Sequence, residues 1–356
     1  MPVDWTCRAS GVSLVVPYYH MISDKVVPHV GHLYRFRTIA EFKADLEFFL
    51  RHFEPVTLRD IVDSISAGRS LGRSCFHLTF DDGFTEMYDI VAPILRSAGV
   101  PATFFLNTAF LDGGGLALDN ALSLVLDRIG SSGGRLSPAT IKRLDSILPE
   151  PRYDDSGLRA RILSIRYGED ALVGSLAAAL ELDLDLYVRE VRPYLSSQEI
   201  KAMLKMGFTI GAHSHDHPHY SDLPLHVQLE QTRRSVALLQ TRFGMSPRAF
   251  AFPHNDTGVS DAFFRTVFSE PVLDISFGTG GLVPHPHSRN IERVKMENGR
   301  ASAAQILARQ LVRATYFKLR DYGATGRGFV SRRSPESVGE GANACKTPAA
   351  SRSSRA

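Results

Sequence analysis

Leu78-Thr79-Phe80-Asp81-Asp82-Gly83 is the stretch on which the reading of this chain turns. A short apolar run, Cys75 to Phe80, carries two adjacent carboxylates onto a glycine. Successive side chains of a strand point to opposite faces, but neighbours converge on one pocket where a strand gives way to a loop. Two carboxylates crowded there repel each other unless a cation neutralises one and the other is left free as a base. The sequence offers the remaining ligands for such a cation far downstream, in Gly211-Ala212-His213-Ser214-His215-Asp216-His217-Pro218-His219.

His213 and His217 stand four residues apart where the apolar run Phe208–Ala212 ends. Two imidazoles on one short loop can face a single point, and with one carboxylate they form a His₂Asp set that leaves positions open for water and substrate, as catalytic zinc requires. A lone histidine pair on a loop is usually a solvated surface cluster, and Asp-Asp-Gly alone is a common turn. Four histidines within seven residues behind an apolar run, in a chain with a second loop that needs a cation, favour a metal site instead.

Outward from these motifs the pattern alternates. Ser13–His20 reads as a buried strand, Thr38–Phe53 as a helix with a Thr38/Glu41 capping box, Phe53–Leu58 as a short strand and Thr57–Ala67 as a second helix. Ser74–Phe80 is the strand carrying the aspartates, Ala92–Ala98 a helix stopped at Gly99, and Pro101–Asn107 a further strand. Strand, helix, strand at such short spacing predicts right-handed βαβ units and a parallel sheet. From Leu111 to about Ser197 the chain turns glycine-punctuated and helix-like (Ala117–Ile129, Ser137–Ile147, Gly157–Ile165, Asp170–Leu182), an insertion in which no chemistry is legible. Strands resume at Phe208–Ala212, Ala249–Phe252, Leu273–Phe277 and Ile291–Lys295, with helices at His226–Phe243, Asp261–Phe268 and Ala301–Leu319. The expected fold is α/β: a distorted (β/α) barrel of about seven strands, residues 1–322, with a helical insertion at 111–197 and the site at the C-terminal ends of the strands. Residues 323–356, Gly/Ser/Arg-rich and aperiodic, are expected to be a disordered basic tail.

Thr79-Phe-Asp-Asp-Gly83 and His213-Ser-His-Asp-His217 resemble the first two motifs of the polysaccharide deacetylases, the NodB-homology group or carbohydrate esterase family four. The resemblance implies a barrel of β/α units and a divalent metal, usually zinc. By position it makes Asp81 the catalytic base, Asp82, His213 and His217 the metal ligands, and Ser214 a supporting residue beside them. It also implies a histidine that protonates the leaving amine. The usual Leu-x-x-His setting near the C-terminus has no match, because His285 and His287 lie in a Pro-rich stretch. Val16-Pro-Tyr-Tyr-His-Met-Ile22 instead resembles the early Tyr-His motif of biofilm poly-N-acetylglucosamine deacetylases, which makes His20 the acid. Ala251, in Ala249-Phe-Ala-Phe-Pro-His254, stands where the family has the arginine that orients the base, so that role is either missing or moved to Arg293 or Arg248. Asp274 is a candidate for the fourth-motif aspartate; His215, His219 and His254 are candidates for the cleft wall, and Tyr34, Phe36 and Tyr220 for sugar stacking.

The function implied is metal-dependent hydrolysis of the N-acetyl group of an amino sugar in a glycan. An O-acetyl esterase uses the same metal and base. A catalytically silent carbohydrate-binding protein would explain the altered third motif but has no need of a free base beside a metal. A two-histidine-one-carboxylate iron oxygenase has a similar ligand set, but such sites usually take their histidines from well-separated positions.

At 356 residues, 44% hydrophobic and 22% charged, the chain has the composition of a globular protein. Its net charge of +3 comes from the tail, where six Arg and Lys face Glu336 and Glu340 after Gly323, so no nucleic-acid partner is expected. Cys7, Cys75 and Cys345 are odd in number and widely spaced, which fits a reducing compartment. With no secretory signal or transmembrane run in view, the expected location is cytoplasmic.

Overall fold

The computed structural model describes residues 11–72, 74–131, 136–148 and 155–325, with side chains assigned outside 155–156 and 319–325. Cys7, Cys345, the N-terminal ten residues and the tail from 326 lie outside the described residues. Two all-parallel sheets form. The smaller joins β1 (Leu14–Val15), β4 (Cys75–Phe76) and β3 (Glu54–Pro55). The larger runs through β2 (Pro17–Tyr19), β5 (Leu78–Phe80), β6 (Ala102–Leu106), β7 (Thr209–Ala212), β8 (Ala249–Ala251) and β9 (Ile275–Gly278). The last strand is split at Arg293: β10 (Asn290–Glu292) pairs with β9, whereas β11 (Val294–Lys295) pairs with β2. One stretch of chain therefore crosses from one edge of the sheet to the other and nearly closes a barrel of eight strand segments. Closure removes the unpaired edges an open sheet would present.

Two predicted strands prove to be pairs. Ser13–His20 breaks after Val15 and Ser74–Phe80 breaks at His77, and in each case the first half joins the small sheet and the second the barrel. His77 at the second break is buried, its Nδ1 bonded to the Val56 carbonyl and its Nε2 to Thr103 Oγ1. The helices at Ile39–His52 and Leu58–Ser66 start from capping boxes, Thr38 with Glu41 and Thr57 with Asp60. The helix Ala92–Ala98 ends where Gly99 enters the left-handed region at φ 65°. The last helix, Ala303–Thr325, runs past the predicted end at Leu319 and takes in the first residues of the predicted tail.

Alternation along the strands separates two environments. Phe80, Phe104, Ile210 and Phe250 face the helices, where Phe80 stacks on Phe104 at 5.0 Å and on Tyr19 at 5.6 Å. Phe105, Ala249, Ala251, Ile275 and Phe277 fill the other face, inside the barrel. Each fully buried aromatic is worth roughly 1.5–3 kcal/mol relative to exposure. The same period of two carries Thr79 and Asp81 inward on β5, and Thr209, Gly211 and His213 inward on β7.

The insertion is helical, as its sequence predicts, with Leu118–Ser131, Pro138–Ile147, Asp155–Ile162, Asp170–Ala179 and Leu184–Val191 in order. Leu122, Val125, Leu144, Ile162 and Leu176 give it a core of its own. Its first helix is tied to the loop after β2: Asn120 Nδ2 donates to the His29 carbonyl at 2.8 Å and Ser123 Oγ to that of Pro28 at 2.6 Å. Among the described residues no helix is long and apolar enough to cross a membrane.

The inward position of Gly211 leaves no room for a side chain, since a Cβ there would lie 2.3 Å from the Phe105 ring and 3.1 Å from the Ala249 carbonyl oxygen. Gly211→Ala is expected to lower stability by about 1–3 kcal/mol, read from the urea midpoint. An unchanged midpoint would contradict the packing described for β7.

Candidate active site

The side chains that alternation sends inward converge at the C-terminal ends of the strands. His20 follows β2, Asp81 and Asp82 follow β5, His213 follows β7, and Arg293 sits at the split between β10 and β11. Beside them is a cavity of about 270 Å³, lined among others by Tyr18, His20, Tyr34, Asp82, Asp119, His217, His254 and Lys295. Asp82 enters the left-handed region at φ 70°, which lets it and Asp81 turn toward one centre although they are neighbours. Ser214, His217 and His254 share that conformation at φ 66°, 66° and 57°. Such backbone is costly for residues other than glycine and tends to gather at functional sites.

The two carboxylates meet different surroundings. Asp81, 2% exposed, is gripped by the fully buried Arg293, with Nη1 on Oδ1 at 2.7 Å and Nη2 on Oδ2 at 2.8 Å. Arg293 is held in turn by the Gly278 carbonyl (3.1 Å from Nε) and Thr79 Oγ1, and lies 4.5 Å from the centre of the Tyr18 ring. Burial pushes the Asp81 carboxyl up, but the guanidinium outweighs it and leaves the group below the usual range.

Asp82 has no such partner among the described residues. Its buried Oδ1 makes no hydrogen bond, yet it lies 3.2 Å from His217 Nε2 and 3.5 Å from His213 Nε2. His213 Nδ1 is 2.8 Å from the Ala251 carbonyl and donates to it, which leaves the Nε2 lone pair facing Asp82. Ligands about 2.0–2.1 Å from one tetrahedral zinc stand roughly 3.3 Å apart, close to these separations. An orphaned carboxylate oxygen facing two imidazole nitrogens is a donor set that fits a divalent metal, and Asp82, His213 and His217 lie together as such a group. Burial raises the Asp82 carboxyl, but the facing imidazoles take it well below its ordinary value, while His217 is raised by the same pair against the downward pull of burial.

His20 closes the far side. Its Nδ1 bonds Glu297 Oε2, and Glu297 Oε1 accepts the backbone N–H of both His20 and Met21 at 2.9 Å. Burial pulls the His20 pKa down, but the carboxylate prevails and raises it above the ordinary value. Glu297, itself 5% exposed, was not anticipated; its only sequence signal is an acidic residue just past the last strand. Asp119 was also missed. It comes from the insertion, with Oδ2 3.9 Å from His217 Nδ1 and 3.6 Å from His254 Nε2.

The remaining candidates divide. Ser214 Oγ accepts the His217 backbone N–H at 3.0 Å. His254 lines the cavity and stacks on His219 at 3.5 Å; Tyr34 lines it too, 5.0 Å from the His20 ring. Asp274 is not part of the site. It precedes β9 at the opposite end of the barrel, where both its oxygens engage Arg248, and this pairing also removes Arg248 as a partner for Asp81. His215 is turned to Thr108, and Phe36 packs against the apolar cluster that contains Met21 and Phe84. Tyr220 is fully buried with its hydroxyl on Thr232, so it cannot stack on a sugar. His285 and His287 lie against Phe264. His285 also belongs to a separate group with Asp256 and Glu292, but its Nδ1 accepts the His287 N–H, which places the ring proton on Nε2, the nitrogen nearest Asp256.

A family model described as polysaccharide deacetylase matches residues 68–145 and 173–263. It takes in Asp81, Asp82, His213 and His217, and its gap falls within the helical insertion. Comparison with curated proteins gave no match. Among solved structures, the chain is similar to the Streptococcus pyogenes deacetylase PplD, in complex with acetate, at 13% identity and a TM-score of 0.54, over 83% of this chain and 97% of that one. It is also similar to IcaB from Ammonifex degensii, at 18% identity and a TM-score of 0.53, over 85% and 98%. At these identities the two structures speak for the fold alone, and it is the matched segments, which carry both motifs, that make the chain similar to the polysaccharide deacetylase family.

Proposed function

We propose that the protein is a metal-dependent deacetylase that hydrolyses the N-acetyl group of an amino sugar within a poly- or oligosaccharide. The observation that carries this reading is the unlike treatment of two adjacent carboxylates, one locked to Arg293 and the other left bare before two imidazoles. In this reading Asp82, His213 and His217 hold the metal, with zinc the best fit to a donor set of two nitrogens and one oxygen. When bound, such an ion supplies Lewis-acid polarisation of the acetyl carbonyl and a lowered pKa for the attacking water.

The chain's own groups do the rest. Asp81 stays ionised, and the fork of Arg293 fixes its plane. Each carboxylate oxygen retains a lone pair after the bidentate contact, so Asp81 accepts the proton of the attacking water. An amine leaves only once protonated, and His20 is the donor: Glu297 holds Nδ1, favours the imidazolium and directs Nε2 to the cleft. A dedicated acid supports an amide over an ester as the bond cleaved, because an alkoxide is the better leaving group. Tyr18, Leu33 and Tyr34 give the cavity an apolar wall suited to a sugar ring.

Zinc-loaded protein is expected to release acetate from N-acetylglucosamine oligomers, and a chelator to abolish the release. Asp81→Asn is expected to lower kcat/KM by about 10²–10⁴-fold; full activity in that variant sinks the assignment of the base. Above the raised His20 pKa the acid is lost, so activity should fall on the alkaline side. Glu297→Gln removes the charge that raises that pKa and should move the alkaline limb to lower pH; an unmoved limb contradicts the role of His20.

Arg293→Ala leaves a buried carboxylate unpaired and is expected to cost about 3–5 kcal/mol in urea unfolding. The Asp81 carboxyl lies below its ordinary value, so the stability it contributes is present above that value and is lost as pH falls through the folded one. Acid unfolding of Arg293→Ala should therefore begin at higher pH than in the wild type; coincident acid transitions would show that the pair contributes nothing.

A further inference from the structure

The two ligand histidines are secured by different means. His213 is fixed from within the barrel, its Nδ1 donating to the Ala251 carbonyl at 2.8 Å. His217 has no such anchor: among the described residues no hydrogen bond holds its ring, and its backbone sits at φ 66° in a loop that bends back onto Ser214. For His217 Nε2 to face the Asp82 oxygen with a lone pair, the ring proton must lie on Nδ1. The acidic group in front of that nitrogen is Asp119, with Oδ2 at 3.9 Å. The same oxygen lies 3.6 Å from His254 Nε2, and the His254 ring is 4.5 Å from that of His217.

Asp119 is not a stray surface carboxylate. It sits in the first turn of the insertion's first helix, and its neighbour Asn120 is bonded on both sides, donating to the His29 carbonyl at 2.8 Å and accepting from the Tyr194 hydroxyl at 2.5 Å. That hydroxyl in turn accepts the backbone N–H of Ala117 at 3.1 Å. The start of the helix is thus pinned at the cavity wall, and Asp119 is delivered to its place by the fold. Metal-ligating histidines nearly always donate their second ring N–H to a carboxylate or carbonyl, which fixes ring orientation and raises ligand basicity.

We propose that Asp119 is the positioning residue of the ligand His217, so that the helical insertion completes the outer shell of the metal site. This rests on the metal-site reading above. The barrel supplies the ligands and orients one histidine; the insertion orients the other. The separation of 3.9 Å exceeds a direct hydrogen bond, and such contacts are commonly loose until metal and substrate are bound.

The test is zinc affinity of the full chain, measured by competition with a chromogenic chelator, for wild type, Asp119→Asn, Asp119→Ala and the exposed control Asp145→Ala. Asp119→Ala is expected to weaken zinc binding about 10–100-fold. Asp119→Asn keeps an acceptor oxygen without the charge and should fall between it and the wild type, while Asp145→Ala should bind as the wild type does. Metal-free thermal unfolding of Asp119→Ala should match the wild type, which separates this role from damage to the fold. Wild-type affinity in Asp119→Ala overturns the inference, as does an equal loss in the Asn and Ala variants, which would mark charge alone. If zinc-loaded wild type releases no acetate while Asp119→Ala still loses affinity, the deacetylase reading fails and the inference stands. If acetate is released and affinity is unchanged, the inference fails and the deacetylase reading stands.

Discussion

A guanidinium with no exposed surface is held inside this barrel, and much of the structure answers to its needs. Arg293 sits where the last strand splits, so closure of the sheet and burial of a charge occur at one residue. Burying an ion is expensive unless its partners are complete, and here Asp81 takes the fork, the Gly278 carbonyl takes Nε, and the Tyr18 ring lies against the plane. Asp81 is ionised and immobile as a result. The charge that settles the closing strand also fixes the state of the residue assigned as the base.

Alternation of side chains does the remaining work of assembly. Tyr18 and His20, Thr79 and Asp81, and Gly211 and His213 are pairs two residues apart, the first on and the second just past one of three parallel strands. The lower member of each contributes to the barrel interior and the upper one to the site. Asp82 and His217 depart from the rule, and both do so through left-handed backbone rather than strand register. The candidate site is thereby built onto a packed core by the one or two residues that follow each strand.

This explains what the sequence could and could not reveal. That Asp81, Asp82, His213 and His217 would come together was legible because the signal is local: two short loops, each with its own apolar run ahead of it. The barrel was legible from alternation of strands and helices, and the helical insertion from the loss of that alternation. The breaks after Val15 and at His77 were not, because a strand's choice of sheet depends on partners far away in the chain. Asp274 misled for a related reason: an aspartate beside a strand gives no sign of which end of the barrel it occupies, and here it pairs with Arg248 away from the site. Glu297 and Asp119 carry no motif and are recognised only by what they face. The left-handed conformations of Ser214, His217 and His254 likewise left no trace, since none of these is glycine.

The two halves of the site also differ in how they are held. The half assigned to the metal, at the ends of β5 and β7, lies within the segments the family model matches, and its three candidate ligands come from two short loops. The half assigned to proton transfer draws His20 from the start of the chain and Arg293 and Glu297 from its end, all outside those segments. These three meet only because β11 pairs with β2, and Glu297, two residues beyond β11, accepts the backbone N–H groups of His20 and Met21 across that seam. On the proposed reading, ligand geometry depends on loops and on the insertion, whereas the assigned acid and the orientation of the assigned base depend on closure of the barrel. A mutation that loosens the seam should therefore disturb proton transfer before it disturbs the metal ligands, because the bonds lost first are those that hold His20 and Arg293.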